Sequence, residues 1–243
     1  MFRKSGANMM DEVARAAELL ESGGFILVYD EDDREEEVDL VMLAEKATPR
    51  HVYTLRRDAG GLICVALHPK IWKRWGLPFL HDILGFSSRK YDVLSGLNPN
   101  DIPYDSRSSF SVTVNHRKTY TGVTDNDRAL TIREIGRIGR ETMERPEQDW
   151  KSVLGKAFRS PGHVHLLLAA EGLLRERRGH TELTVAFAEA AGLPPVMVLC
   201  EMLDGETGGA LSFSDARKYA EKHGFPIFRG EDIARVWERR HEG

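Results

Sequence analysis

The chain has 243 residues, with 34 Lys and Arg against 38 Asp and Glu for a net charge of −4, and 41% of it is hydrophobic. That length can bury a sizeable core without staples, and the balance of apolar and charged residues excludes a disordered or collagen-like chain. A slightly acidic chain does not suit general nucleic-acid binding, no apolar run reaches the ~20 residues of a membrane helix, and the first residues lack the apolar stretch of a signal peptide. Cys64 and Cys200 lie in apolar sequence and read as reduced thiols. The expectation is a cytoplasmic protein with neither a nucleic acid nor a membrane as partner.

Helical spacing of Met10, Val13, Ala14, Ala17 and Leu20 predicts a first helix that Gly23 and Gly24 end. Apolar runs at 25–29 and 39–44 predict two buried strands, and Thr48-Pro49 signals a helix start. Gly60-Gly61 then turn the chain into a strand at 62–66. From Leu77 to Ser109 the pattern is irregular and predicts one long loop. A half-buried strand follows at 110–114, then a helix from Asp127 or Thr131 to Ile138 and a polar connection over 145–155. Residues 162–169 read as a strand passing into a helix, 181–191 as a helix and 196–200 as a strand. Ser212 or Ser214 caps a helix to His223, and a strand at 226–228 and a helix at 231–239 close the chain. This alternation, with no repeat and no Gly/Ser/Pro-rich hinge, predicts an α/β fold: a single domain over 1–243 with a mixed twisted sheet between helical layers, α/β/α.

The densest chemical signal is the run Asp30 to Asp39, eight carboxylates in ten residues between two strands. Such a run is often a solvated loop, but here it joins strand ends, where sites gather. In extended chain Glu35, Glu37 and Asp39 share one face, with Arg34 and Glu36 on the other. Three carboxylates on one face can hold Mg²⁺ or Mn²⁺ and leave a base free. The residues alone leave both readings open. No start within the run places Gly and Glu where an EF-hand needs them.

Four further segments carry candidates. Arg177-Arg178-Gly179-His180-Thr181-Glu182 places cations and a Gly turn before an apolar helix, apt for a phosphate, although a plain helix cap has the same pattern. Pro161-Gly162 sets His163 at a strand start, either as an acid or base or simply bonded to a backbone carbonyl. Its neighbour His165 is expected on the opposite sheet face. Glu201 ends an apolar strand, where α/β sheets place ligands, and Cys200 reads as core. Thr121 lies in a hydroxyl-rich loop apt for sugar hydroxyls or phosphate. No P-loop, GxGxxG, HExxH, CxxC or GxSxG motif is present, which removes support for the corresponding chemistries.

In this order, Asp32 to Asp39, Thr121 to Arg128, Ser160 to Val164, Arg177 to Glu182 and Leu199 to Glu201 resemble the 3,4-dihydroxy-2-butanone 4-phosphate synthases of riboflavin biosynthesis. The likeness runs from about Glu12 to Ile233, and the stretch Asn98 to Arg128 looks most like the archaeal, monofunctional branch. It implies a lyase of α/β/α fold that converts D-ribulose 5-phosphate to L-3,4-dihydroxy-2-butanone 4-phosphate and formate. It implies Mg²⁺ or Mn²⁺, two ions per site, no organic cofactor, and a homodimer with sites near the subunit interface. By this resemblance Glu35 and His180 are metal ligands, and His163, Glu201 and Glu37 are catalytic. Arg34, Glu35, Asp39, Thr121, Arg177, Arg178, Gly179, His180, Thr181 and Glu201 then bind substrate, with Arg177 on the phosphate. Cys64 matches a cysteine near the site.

Enolisation beside a carbonyl needs a base and an offset for the charge produced, and loss of water needs an acid. A phosphate clamp remote from the reacting carbons supplies orientation. Carboxylates and histidines crowded into one site suit that sequence of proton transfers. Val38 stands where the family usually has Gly, and Ser160 separates Arg159 from Pro161; neither removes a ligand. A non-catalytic phosphate-binding module would not need Glu35, Glu37 and Asp39 beside Arg177, and formate release separates the synthase from a phosphosugar isomerase or aldolase.

Overall fold

The structure is a computed structural model and describes residues 6–32, 34–97, 101–102, 105 and 107–241. Asp33 of the acidic motif and residues 98–100, 103, 104 and 106 of the expected long loop lie outside the described residues. In chain order, helix α1 (Gly6–Glu21) leads to strands β1 (Ile26–Tyr29) and β2 (Val38–Leu43). Helix α2 (Pro49–Thr54) follows, running into a π-helical turn at Leu55–Ala59, and then strand β3 (Cys64–Leu67) and helix α3 (Pro69–Trp75). Helices α4 (Leu80–Ser87) and α5 (Val93–Gly96) precede strand β4 (Phe110–His116). Helices α6 (Asp125–Glu144) and α7 (Trp150–Ala157) lead to strand β5 (Phe158–Leu168). Helix α8 (His180–Ala191), strand β6 (Val196–Glu201), helix α9 (Phe213–His223), strand β7 (Ile227–Arg229) and helix α10 (Gly230–His241) complete the chain.

The strands form one seven-stranded mixed sheet in the order β4-β5-β3-β6-β2-β1-β7. Pairs β3–β5 and β1–β7 are parallel and the others antiparallel. β1, β2, β3 and all but the last residue of β6 are buried, as expected of strands covered on both faces. Alternation along β6 separates the layers. Val196 packs where α6 brings Gly139, and the Cys200 thiol faces the carbonyl of Leu55, so α6 and α2 cover that face. Leu199 and Glu201 point to the other face, which α8 covers with α1 and α10 against it. The predicted α/β/α sandwich is the observed one.

Several local expectations need correction. The irregular 77–109 stretch contains α4 and α5, short helices without a buried residue and therefore without a strong apolar period. Helix α6 starts at Asp125, where the Thr124 hydroxyl accepts from Asp127 N, and it continues six residues past Ile138 to Glu144. Its last turns are held by Arg137 with Glu134 and Glu141 and by Arg140 with Glu144, so charge pairs sustain the helix where apolar spacing fades. The polar connection contains α7, capped by Asp149 and anchored by the buried Trp150. Strand β5 begins at Phe158, before Pro161, because the ladder with β4 skips from Val164 to Arg159 and lets 160–163 bulge outward. No helix follows β5 directly; the chain makes a 3₁₀ turn at Leu173–Arg175.

Candidate active site

Strand ends assemble the site. β1 ends at Asp30, whose carboxylate is buried and accepts from the backbone N–H of Glu35 (3.0 Å) and of Glu37 (3.2 Å), while Arg34 Nη1 lies 3.4 Å away. These bonds curl the acidic loop around Asp30, and Glu36 takes a left-handed φ of 56°. The loop is therefore a turn, not the extended segment expected. Arg34 stands on the same side as Glu35 and donates to it at 2.7 Å, while Glu36 is exposed. Glu35, Glu37 and Asp39 nonetheless line one chamber, of about 230 Å³, with Arg177, His180, Thr181 and Glu201.

His180 is the first residue of α8 and is buried. Its Nδ1 lies 3.2 Å from Glu35 Oε2, its Nε2 3.1 Å from the Glu37 carbonyl oxygen, and Nε2 also 3.9 Å from Asp39 Oδ1. Both ring nitrogens thus face oxygens, an arrangement that a proton on each or, at one of them, a cation shared with the oxygen satisfies. Burial alone would depress the imidazole, but Asp39, Glu35 and Asp30 outweigh it and raise it well above the usual histidine range. Burial likewise pushes the Glu35 carboxyl up, yet His180 and Arg34 overcome this and hold it at about 2. Asp39 and Glu37 are raised, chiefly by burial, with the neighbouring carboxylates adding to it. Asp39 Oδ1 is buried without a hydrogen-bond partner among the described residues.

Glu201 closes the chamber from β6. Its Oε2 accepts from Leu62 N at 2.8 Å, and Gly61 leaves it room: a Cβ there would stand 2.5 Å from that oxygen. Cys64 lies beneath, paired in register with Leu199, and burial pushes its thiol well above the ordinary value. A buried, protonated thiol fits a packing role better than a nucleophile. His165 pairs with Cys64 across β3–β5 and its ring meets Phe110, a wall of the chamber, so it is on the chamber face and not the opposite one. Residues i and i+2 share a face, and the bulge at 160–163, rather than alternation, separates His163 from it.

Three expected members stand apart. His163 is exposed on the bulge, where its backbone N donates to Asn115 Oδ1 at 2.8 Å and its Nδ1 is 3.1 Å from Asn115 Nδ2. Thr121 is exposed beside the same Asn115, near Asp127. Arg178 turns outward to Glu31 and Glu238, 3.6 Å from each. None of the three lines the chamber, and neither does Arg34, although its partners Glu35 and Asp105 do. Gly179 precedes α8 and packs between the guanidinium groups of Arg34 and Arg177, where a Cβ would come within 2.9 and 3.2 Å of them. Asp30, Asp105 and Glu182 also belong to the site, although no local pattern in the sequence marks them as its members. Glu182 is buried, accepts from Ala170 N at 2.8 Å and holds Arg177 Nη1 at 3.2 Å.

The donor set suits a hard divalent cation. One ligand atom each from Asp30, Glu35 and His180 falls within 4.8 Å of the others, and the orphaned Asp39 oxygen faces the same imidazole. A larger groove of about 960 Å³ is bordered by Arg15, Leu19, Phe225 and Arg235, among others, and lacks this carboxylate–histidine set.

The profile of the family named 3,4-dihydroxy-2-butanone 4-phosphate synthase matches residues 14–236. The enzyme of that name from Methanothermobacter thermautotrophicus is 48% identical over 221 residues, covering 91% of this chain and 93% of its own. A crystal structure of such a synthase in complex with two magnesium ions is 28% identical at a TM-score of 0.68, covering 94% of this chain and 96% of that one. A two domain synthase from A. baumannii is 25% identical at a TM-score of 0.69; it covers 91% of this chain, which spans only 56% of that longer one. The chain belongs to the 3,4-dihydroxy-2-butanone 4-phosphate synthase family, lyases of riboflavin biosynthesis that act on D-ribulose 5-phosphate.

Proposed function

We propose that the chamber between the β1–β2 loop, β6 and the start of α8 is where D-ribulose 5-phosphate becomes L-3,4-dihydroxy-2-butanone 4-phosphate and formate. The observation that carries this is the convergence, at one face of the sheet, of Glu35, Glu37, Asp39 and Glu201 with His180, Arg34 and Arg177. Glu35 and His180 would hold the metal, Mg²⁺ or Mn²⁺, and two ions per site follow the magnesium-bound relative. When bound, such an ion supplies positive charge against the negative charge that develops on the sugar oxygens.

The chain's own groups account for the rest. Arg177, clamped by Glu182, and Arg34, clamped by Glu35, present guanidinium edges for the phosphate, with Gly179 and Thr181 at the start of α8. Phosphate binding there orients the sugar without touching the reacting carbons. Glu37, on the acidic loop, and Glu201, on β6, both line the chamber, and they would take a proton from a carbon beside the carbonyl and return one to a leaving hydroxyl. Asp39, buried in the chamber wall, would bind sugar hydroxyls. No organic cofactor enters this scheme.

His163 and Thr121 act, on this reading, in a homodimer with the chamber near the subunit interface. Both are exposed in one copy, and the loop that carries Thr121 also exposes Tyr120 at 93% and Val123 at 51%, apolar surface of the kind that partners cover. No helix among the described residues is long and apolar enough to cross a membrane, and a cytoplasmic location fits a sugar-phosphate enzyme. The metal assignment is tested by Mn²⁺ titration followed through the electron paramagnetic resonance of the free ion. Glu35→Gln and His180→Ala should each weaken binding about 10–100-fold or more; undiminished binding in both removes these residues as ligands.

A further inference from the structure

The arginines assigned to the phosphate are already joined to an anion of the chain itself. Asp105 Oδ2 accepts from Arg34 Nη2 at 2.6 Å and from Arg177 Nη2 at 2.6 Å. Arg34 belongs to the acidic loop and Arg177 to the turn before α8, so one carboxylate oxygen bridges two segments far apart in sequence. The other edges of both guanidinium groups are committed: Arg34 Nη1 to Glu35 at 2.7 Å and Arg177 Nη1 to Glu182 at 3.2 Å. Asp105 and Arg177 both line the chamber. Arg177 Nε is buried without a hydrogen-bond partner among the described residues, so the carboxylate does not saturate the donors around it.

We propose that Asp105 is an internal competitor for the phosphate, an anion that holds the phosphate position and sets the affinity a ligand needs to displace it. This rests on the reading of Arg34 and Arg177 as phosphate ligands. A phosphate dianion brings two negative charges and three acceptor oxygens to two guanidinium edges and the unpartnered Nε, where Asp105 brings one charge and one shared oxygen. Displacing the carboxylate is then favourable, and its side chain, 12% exposed, has water within reach. A monoanion only exchanges one charge for another, and a neutral sugar leaves the arginines to Asp105. Neither gains enough to offset the freedom lost on binding. Asp105 thereby sets a threshold common to all ligands, one that weakly held ligands do not pass.

Calorimetric titration of the intact protein with inorganic phosphate and with acetate, at a pH where phosphate is the dianion, tests this in Asp105→Asn, Asp105→Ala and Arg177→Ala. If the carboxylate holds the site in about nine molecules of ten, both Asp105 variants should bind phosphate about tenfold more tightly. Acetate, which meets the same competitor, should gain by the same factor, so the ratio of the two affinities stays as it was. Arg177→Ala should bind phosphate more weakly. Unchanged or weaker phosphate binding in both Asp105 variants, with Arg177→Ala still impaired, overturns the role of Asp105 and leaves the arginines as phosphate ligands. Undiminished phosphate binding in Arg177→Ala overturns the phosphate reading itself, and the proposal with it.

Discussion

Asp39 and Glu201 stand directly opposite each other across the β2–β6 ladder. Side chains opposite one another on adjacent strands project to the same face, so two strands that are remote in sequence deliver one carboxylate each to the chamber. Like charges so placed repel, and burial adds to that: Asp39 is raised far above the ordinary aspartate value, with Glu201 among the causes. A pairing that costs stability in an empty site is what a cation-dependent reaction site calls for.

The homodimer reading makes a prediction that a purely structural role for His163 does not. Glu201→Gln and His163→Ala should each lower turnover by about 10²–10⁴-fold with the fold intact. If the chamber of one copy uses His163 of the other, subunits of the two inactive variants mixed and re-associated should regain activity. Random pairing would leave about a quarter of all sites with both groups intact. No recovery, in a sample shown to have exchanged subunits, places His163 with its own chain's site or outside the reaction.

Gly61→Ala tests how Glu201 is positioned. The new methyl would meet the Glu201 carboxylate, its carbonyl oxygen and its Cβ at 2.5, 2.6 and 2.8 Å, so the side chain or the start of β3 must shift. We expect kcat to fall by about 10²-fold for a displacement of this order, with a smaller change in KM. An unchanged kcat would mean that Glu201 works from another position.

A third prediction concerns stability far from the chamber. Glu189 on α8 accepts from Trp237 Nε1 at 2.7 Å and lies 3.4 Å from His68 Nε2 and 3.5 Å from His241 Nε2, which joins α8 to α10 and α3. The His68 hydrogen bond, with help from Trp237 and against burial, lowers its carboxyl to about 2. A carboxyl depressed in the folded state stabilises above its unfolded value of ~4.3, and that stability is lost as pH falls towards 2. Glu189→Gln should therefore cost about 2 kcal/mol at pH 7 by denaturant unfolding, after allowance for partial exposure. The gap to the parent protein should narrow below pH ~4.3. A gap that stays constant into the acid range would contradict the ionic origin.

Much of this was legible in the residues. The sandwich follows from alternating apolar runs, and the pairing of the acidic loop with Arg177–Glu182 follows from the family resemblance that the motifs carry. The details that were not legible are those set by tertiary bonds. Asp30 looked like one acid among eight, and only its burial beneath the loop makes it the group that turns the loop. Period-two alternation places Arg34 opposite Glu35, whereas the turn around Asp30 brings both to one side. Asp105 sits in a stretch with no period at all, so nothing local marked it as the partner of two distant arginines. The bulge at 160–163 likewise depends on Gly162, where a Cβ would come within 2.0 Å of the Val114 carbonyl carbon, and this close approach is invisible until β4 and β5 are paired.

The most direct test of the central claim is an end-point assay of the purified protein with D-ribulose 5-phosphate and Mg²⁺, following formate by NMR, with an EDTA control. The account predicts formate and a four-carbon phosphate in equal amounts, both abolished by EDTA and restored by added metal. Consumption of the sugar phosphate without formate, or formate release that EDTA leaves untouched, would contradict it.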